Sequence, residues 1–133
     1  MSDREECLDA FCKLRRLQEA TDTGYVQCIV CGRILRWTEC DGGHYVSRKY
    51  VSTEIEADNV WPECPQCNRF GDINHSTLYG IRLVGKIGSK RVSRLLDMKS
   101  QELHEPGSRH RDYKELTKQF NTEIRRLRKE KGL

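Results

Sequence analysis

Two cysteine pairs with the same spacing are the residues of this sequence best placed to bind a metal ion. Cys28 and Cys31 form one CxxC motif, and Cys64 and Cys67 form another. Each pair can direct two thiolates at one ion, and four thiolates complete the tetrahedral sulfur site that suits Zn²⁺. The sequence therefore predicts a structural zinc site, with residues 32–63 folded as a hairpin between the pairs. A redox role fits less well, because the second pair would have no purpose.

The rest of the sequence indicates that the seven cysteines bind metal and do not form disulfides. Residues 1–14 are charged and lack the apolar core of a signal peptide, and no stretch approaches the length of a membrane span. We therefore expect a cytoplasmic protein whose close cysteine pairs bind metal. Cys7 and Cys12 are expected on a helix face. Cys40 is ambiguous, and a role as a substitute zinc ligand is left open.

A histidine and two asparagines lie where a zinc site would bring them near one another. His44 follows two glycines in the stretch DGGHYVSRKY, inside the loop that zinc would close. Asn59 lies five positions before Cys64, and Asn68 directly follows Cys67. A neutral imidazole near pH 7 can take a proton from water, so His44 is a candidate general base. The alternatives are that His44 is structural or an extra zinc ligand, and that Asn68 caps a helix.

The pattern of apolar residues, glycines and prolines predicts an α+β fold that positions these side chains. A helix is followed by a β region that contains the cysteines, and further helices complete the chain. A break is expected at residues 105–108. The expected helices are 4–20, a short one from Pro65 to about 71, 75–88, one from Ser89 and one at about 110–131; the expected strands are 25–30, 33–37 and 45–53.

The composition predicts one domain with a thin core. Of the 133 residues, 36% are hydrophobic and 33% are charged, so zinc would supply part of the folding energy. We divide the domain into an N-terminal helix (1–24), a zinc-bound core (25–74) and C-terminal helices (75–133). The helix at 75–88 is expected to bury a stripe of Leu78, Ile81, Val84 and Ile87. A second stripe, from Tyr113 to Leu127, could pack on the N-terminal helix or on a partner chain.

The basic residues suggest a polyanionic partner. The formal net charge is +4, which suits nucleic acid without requiring it. Arg48 and Lys49 follow the candidate histidine, and they are expected to contact phosphates. Solvated helix faces are the usual alternative for such runs. The other candidate DNA-binding residues are Arg15, Arg16, Arg125 and Arg126.

These motifs also resemble a known family. The stretches CIVCG, DGGHYVSR and DNVWPECPQCN, in this order, resemble the ββα-metal (HNH-type) nuclease core with four zinc cysteines. More narrowly, they resemble the phage lambda NinG/Rap family of recombination nucleases. The flanking FCKLRRL and LYGIRLVGKIG are similar to the flanks of that family, so the likeness covers residues 11–130. The layout is also similar to the recombination endonuclease VII family.

The resemblance implies a metal-dependent endonuclease for branched DNA, such as Holliday junctions and D-loops, in a phage-infected or prophage-bearing cell. In that reaction His44 would activate water, and Asp41 and Asn68 would offer oxygen ligands to Mg²⁺, with Mn²⁺ as an alternative. Asn59 would hold the loop through backbone hydrogen bonds. Two symmetric cuts in a four-way junction would suit a twofold homodimer.

One position departs from the wider nuclease pattern. Many ββα-metal nucleases have a carboxylate directly before the histidine, and here that residue is Gly43. Asp72 and Asp58 are therefore alternatives to Asp41 as the first metal ligand. Asn74 and His75 are assigned no role. The competing functions are a zinc-stabilised DNA-binding module without catalysis and a protein-interaction domain.

Overall fold

The computed structural model describes residues 1–106 and 110–133, and in this part of the chain it shows five α-helices and two small antiparallel sheets. The predicted α+β class is confirmed. The last two residues of the predicted break at 105–108 lie outside the described residues. The elements are α1 (Asp3–Glu19), β1 (Tyr25–Gln27), β2 (Ile34–Arg36), β3 (Asp41–His44), β4 (Val60–Glu63), α2 (Pro65–Phe70), α3 (His75–Ile87), α4 (Ser89–His104) and α5 (Tyr113–Lys131).

Helices α1 and α5 pack against each other and join the two ends of the chain. Ser2 begins α1 with a capping box, since its side chain accepts from the backbone of Glu5 and the Glu5 side chain accepts from the backbone of Ser2. Phe11 of α1 lies against Phe120 of α5, with ring centroids 5.1 Å apart. Ile124 is buried in the same core. The apolar stripe of α5 therefore packs on the N-terminal helix of its own chain.

The first sheet is a hairpin that carries the first cysteine pair. Val26 of β1 pairs with Leu35 of β2, and both side chains are buried. The turn closes at Gly32, whose φ of +79° is a conformation that favours glycine. Ile29 then donates a backbone hydrogen bond to Pro62 of β4 at 2.9 Å. This bond links the hairpin to the second sheet.

The second sheet pairs β3 with β4, and the candidate histidine, His44, is the last residue of β3. Asp41 lies opposite Glu63, and His44 lies opposite Val60. The strand predicted at 45–53 is wrong, because the strand instead covers 41–44. The two glycines allow it to pack closely: a Cβ on Gly42 would lie 2.6 Å from the Cβ of Cys12. The β-branched residues that follow enter a loop instead of a strand.

Helix α3 contacts this sheet, and helix α4 packs on α3 and on the segment between β3 and β4. The buried residues of α3 are Tyr79 and Leu83, four positions apart, and the hydroxyl of Tyr79 donates to the carbonyl of Gly43 at 2.8 Å. The predicted stripe is wrong for three of its four residues, since Ile81 is 63% exposed and Leu78 and Val84 are also exposed, whereas Ile87 packs against the core. None of the described helices is both long and apolar enough to cross a membrane.

Candidate metal centre and catalytic cavity

The two CxxC motifs converge on one point. The sulfur atoms of Cys28, Cys31, Cys64 and Cys67 all lie within 4.8 Å of one another, which confirms that the predicted pairs form a single cluster. The backbone N–H of Cys64 donates to Cys28 Sγ at 3.3 Å, a contact that stabilises a thiolate. Four sulfur donors with this closeness could hold a Zn²⁺ ion in a tetrahedral site. The cluster joins the first hairpin to the start of α2.

The remaining cysteines lie apart from the cluster. Cys7 and Cys12 are on α1, as predicted, and Cys40 is buried just before β3. The thiol of Cys40 donates to the carbonyl of Trp37 at 3.4 Å. Burial raises the pKa of both Cys12 and Cys40 to about 11. Neither sulfur belongs to the cluster of four, so among the described residues Cys12 and Cys40 are not candidate zinc ligands.

The imidazole of His44 is oriented by the main chain. Its Nε2 lies 2.9 Å from the carbonyl oxygen of Glu54, and because a carbonyl only accepts, Nε2 carries the proton and Nδ1 carries the lone pair. Burial lowers the pKa of His44, the charges of Arg48 and Arg4 lower it further, and the bond to Glu54 only partly opposes them. His44 is therefore a neutral base at pH 7, with Nδ1 as the basic atom.

The carbonyl that orients His44 belongs to a residue with a fully buried side chain. The carboxylate of Glu54 accepts hydrogen bonds from Arg4 at 2.8 Å, Arg111 at 3.1 Å and the hydroxyl of Tyr113 at 2.7 Å. Such a buried charge requires this degree of pairing. The N-terminal helix and the segment before α5 thus help to fix the position of the His44 ring.

Asn59 fixes the loop that follows His44. Its Oδ1 accepts from the backbone N–H of Val46 at 2.8 Å, and its Nδ2 donates to the carbonyls of Val46 and Thr53, both at 3.0 Å. The side chain is fully buried, so these three bonds satisfy backbone groups that water does not reach. These are the backbone hydrogen bonds that the sequence resemblance implies for Asn59.

A cavity of about 450 Å³ lies in front of His44. Asn68, at the first turn of α2, lines the same cavity, so the cysteine cluster brings His44 and Asn68 to one space. Arg48 and Lys99 add positive charge to its wall. The cavity therefore combines a neutral base, an amide and two cations, which suits a phosphate group.

Asp41 does not belong to this cavity. Side chains alternate along a strand, so Asp41 and His44, three positions apart, leave β3 on opposite faces. The Asp41 carboxylate accepts from Asn68 Nδ2 at 3.0 Å and from two nitrogens of Arg69 at 2.9 and 2.8 Å. Partial burial would raise the pKa of Asp41, but the hydrogen bonds from Arg69 and Asn68 outweigh it and lower the pKa. Asp41 borders a second cavity with Arg16.

The two alternative acids are also elsewhere. Asp58 forms an ion pair with Arg91, and it contributes no atom to the lining of the His44 cavity. Asp72 accepts a hydrogen bond from the backbone of Asn74 at 2.8 Å in an exposed turn. None of the three acids proposed from the sequence therefore shares the cavity with His44.

A buried acid that sequence reasoning missed lies beside Gly43, the residue before His44. Glu63, the last residue of β4, is fully buried, and one of its carboxylate oxygens, Oε2, contacts Nε2 of His75. The pKa of Glu63 is raised by burial, with the hydrogen bond from His75 acting against this. His75 lines the cavity with His44. The available signal was a charged residue ending the apolar run VWPE, directly before Cys64.

The family of the chain follows from a comparison with family models. The model described as Bacteriophage Lambda NinG protein matches residues 3–130. The chain belongs to the NinG family. The resemblance stated from the cysteine, histidine and asparagine motifs is thus confirmed. Comparisons with curated proteins and with solved structures gave no match.

The match with the NinG family runs from α1 to α5, so it includes both cysteine pairs and the cavity. In this NinG-family chain, only part of the predicted basic set is available to a ligand. Arg48 and Lys49 are exposed beside the cavity. Lys99, which the sequence reasoning missed, comes to the same place from α4.

Arg15 is not a surface residue, and its prediction as a DNA contact is wrong. Only 5% of Arg15 is exposed, and its Nε donates to the carbonyl of Val60 at 2.9 Å. Its guanidinium lies 4.6 Å from the ring centroid of Trp61. Arg16 is half-buried and donates to the carbonyl of Cys40. These arginines tie α1 to the core.

The C-terminal arginines are exposed on α5. Arg125 donates to the hydroxyl of Thr122 at 3.2 Å. Arg126 forms ion pairs with Glu123 and Glu130 on its own helix, so part of its charge is compensated. Of the two, Arg125 retains the stronger field toward an anionic partner.

Proposed function

We propose that this NinG-family protein is a metal-dependent endonuclease that cleaves branched DNA, such as Holliday junctions and D-loops, during phage recombination. The observation that carries the proposal is the arrangement of His44. Its ring is neutral, its Nε2 is bound to the carbonyl of Glu54, and it lines one cavity with Asn68, Arg48 and Lys99. We place the reaction in the cytoplasm of an infected or prophage-bearing cell.

The chemical role of His44 is to accept a proton from the attacking water. Nδ1 holds the lone pair, because Nε2–H is committed to Glu54. When Nδ1 takes the proton, the ring becomes positively charged, and the carbonyl of Glu54 stabilises that charge through the same hydrogen bond. The proton on Nδ1 can then leave to solvent or to the departing oxygen of the DNA strand.

The cysteine cluster supports a structural role for Zn²⁺. The strands β3 and β4 and the helix α2 follow one another in the order of a ββα unit, and the four sulfurs fasten the start of α2 to the first hairpin. This is the arrangement expected of an HNH-type core. Zinc in this position would hold Asn68 opposite His44.

A second cation, Mg²⁺ or Mn²⁺, would neutralise charge on the phosphate and on the leaving oxygen when it is bound. The donor set of the cavity fits a cation through the amide oxygen of Asn68. Asp41 is a weaker candidate ligand than the sequence suggests, because Arg69 already forms two hydrogen bonds with its carboxylate.

Membership of the NinG family supports a branched substrate, and the positive charge of the cavity supports a nucleic acid. Arg48, Lys49 and Lys99 can contact phosphates on either side of the scissile bond. A four-way junction has twofold symmetry, which suits a homodimer with two cavities. The α5 stripe is occupied by α1, so such a dimer would use a different surface.

The test is cleavage of a four-way junction beside a linear duplex of the same sequence. Each reaction contains Mg²⁺, Mn²⁺ or no added divalent cation, and strong chelators are avoided so that zinc remains bound. We expect nicks in the junction that require the cation. Salt-sensitive binding without any nicking would instead indicate the DNA-binding module, and the absence of both would exclude each of these functions.

A further inference from the structure

Glu63 has a carboxylate oxygen whose position is unusual for a structural residue. Among the described residues, Oε1 of Glu63 is buried and makes no hydrogen bond. A buried carboxylate oxygen without a partner loses its hydration and gains nothing in return. The ion pair with His75 does not remedy this, because it involves the other oxygen, Oε2. An unsatisfied oxygen of this kind is expected where a ligand completes the site.

The unsatisfied oxygen points to the strand that carries His44. A Cβ built on Gly43 would lie 1.9 Å from Oε1 of Glu63, so only glycine leaves room for the carboxylate. The hydroxyl of Tyr79 holds the carbonyl of the same glycine at 2.8 Å. The carboxylate of Glu63 therefore occupies the space beside β3 that a side chain at position 43 would fill.

His75 connects this carboxylate to the cavity. Its Nε2 contacts Oε2 of Glu63, and the residue lines the cavity together with His44 and Asn68. Its side chain is 22% exposed, so a solvated ion can reach it. His75 thus links the carboxylate of Glu63 to the cavity that His44 and Asn68 line.

We propose that Glu63 and His75, assisted by Asn68, form a binding site for a divalent cation. In this site Glu63 takes the ligand role that was assigned from the sequence to Asp41. The use of this ion in DNA cleavage rests on the proposed nuclease function, but its binding does not. A site of one imidazole and oxygen donors binds a first-row transition ion, so we expect tighter binding of Mn²⁺ than of Mg²⁺.

The experiment is a titration of the zinc-loaded full chain with Mn²⁺, in which electron paramagnetic resonance measures the free ion. Glu63→Gln keeps the size of the side chain and removes its charge. His75→Ala changes a partly exposed side chain, so it tests the site even if the first variant is unstable. Glu56→Gln is the matched control, because it removes an equivalent charge from an exposed ion pair with Arg94.

We expect one Mn²⁺ per chain in the parent and in Glu56→Gln, and at least about tenfold weaker binding in Glu63→Gln and His75→Ala. Asp41→Asn should bind Mn²⁺ like the parent. Mg²⁺ should compete with Mn²⁺ for this site, but with lower affinity. Binding that is unchanged in both ligand variants, or that is absent from the parent, would overturn the proposal, as would loss of the ion in Asp41→Asn alone.

The two proposals fail in different ways. If Mn²⁺ binds at Glu63 and His75 but the junction is never cut, the site stands and the nuclease function falls. If the parent cuts the junction with a cation while both ligand variants bind Mn²⁺ and cut at the parent rate, the nuclease function stands and this site falls.

Discussion

Nε2 of His44 donates a hydrogen bond to the carbonyl oxygen of Glu54 at 2.9 Å, and the side chain of Glu54 is itself fully buried. Arg4, Arg111 and Tyr113 converge on that carboxylate from the two ends of the chain. The terminal helices are therefore more than an outer layer. They fix the one main-chain group that selects the basic nitrogen of His44.

Replacing Glu54 should destabilise the folded chain. Glu54→Gln leaves the partly buried Arg4 and Arg111 without their charged partner, so we expect the free energy of unfolding in urea to fall by about 3 kcal/mol. Glu56→Gln, in an exposed pair, should change the free energy of unfolding by less than about 1 kcal/mol. Equal effects of the two substitutions on stability would contradict the central position given to Glu54.

Removing the Asn59 side chain should loosen the loop after His44. Asn59→Ala leaves the N–H and C=O of Val46 and the C=O of Thr53 without their partners, which we expect to cost about 3 kcal/mol of folding free energy. Asn121→Ala on the exposed face of α5 is the control. Amide hydrogen exchange should show faster exchange at Val46 in the Asn59 variant, and unchanged protection there would refute the role.

DNA binding should depend on Arg48 and not on Arg15. We expect Arg48→Ala to lower the slope of log Kd against log salt by about one, because one phosphate contact is lost. Arg15→Met should instead lower the melting temperature, since it removes hydrogen bonds to β4 inside the core. Fluorescence anisotropy with a labelled junction measures the salt slope, and thermal unfolding followed by circular dichroism measures the melting temperature. A salt slope that changes in Arg15→Met but not in Arg48→Ala would reverse this assignment.

The lowered pKa of His44 determines how the stability of the folded chain changes with pH. Burial lowers its pKa in the folded chain below the usual value of about 6.5, so the unfolded chain binds a proton more readily. Stability linked to His44 is therefore present above about pH 6.5 and is lost as the pH falls through the lower folded value. Proton NMR of the imidazole should show this lowered pKa. Arg48→Gln should raise it, because a nearby positive charge is removed, and a parent value above 6.5 would contradict the account.

Zinc removal should unfold the centre of the chain. Structural zinc contributes about 10–16 kcal/mol in small zinc peptides, and the hairpin and α2 depend on the cluster for their connection. We expect a strong chelator to reduce the melting temperature and the circular dichroism signal together. Cys40→Ser should still bind one zinc per chain, whereas Cys64→Ser should not. Unchanged melting after zinc loss would exclude a structural role.

The cysteine cluster could be predicted because its information is local. A CxxC motif places two sulfurs on one turn of backbone. Two such motifs supply the four sulfur ligands of a tetrahedral zinc site. Asn68 follows Cys67, so its place at the cavity comes with the cluster. The partner of the α5 stripe was not decided by the sequence, because two apolar surfaces could equally well cover it.

The acid beside Gly43 could not be predicted, because its place depends on tertiary contacts. Glu63 lies far from Gly43 in sequence and reaches it only through the pairing of β4 with β3. The prediction of Arg15 as a DNA contact was wrong for a related reason. A charged residue on an amphipathic helix resembles a surface residue, and only the folded chain shows that Val60 and Trp61, at the start of β4, cover it.

The most direct test of the central claim is the single-turnover rate of junction cleavage by His44→Ala beside the parent protein. The account predicts a rate about 100- to 10,000-fold lower in the variant, with unchanged zinc content, melting temperature and junction affinity. A folded variant that cuts the junction at the parent rate would show that His44 is not the base.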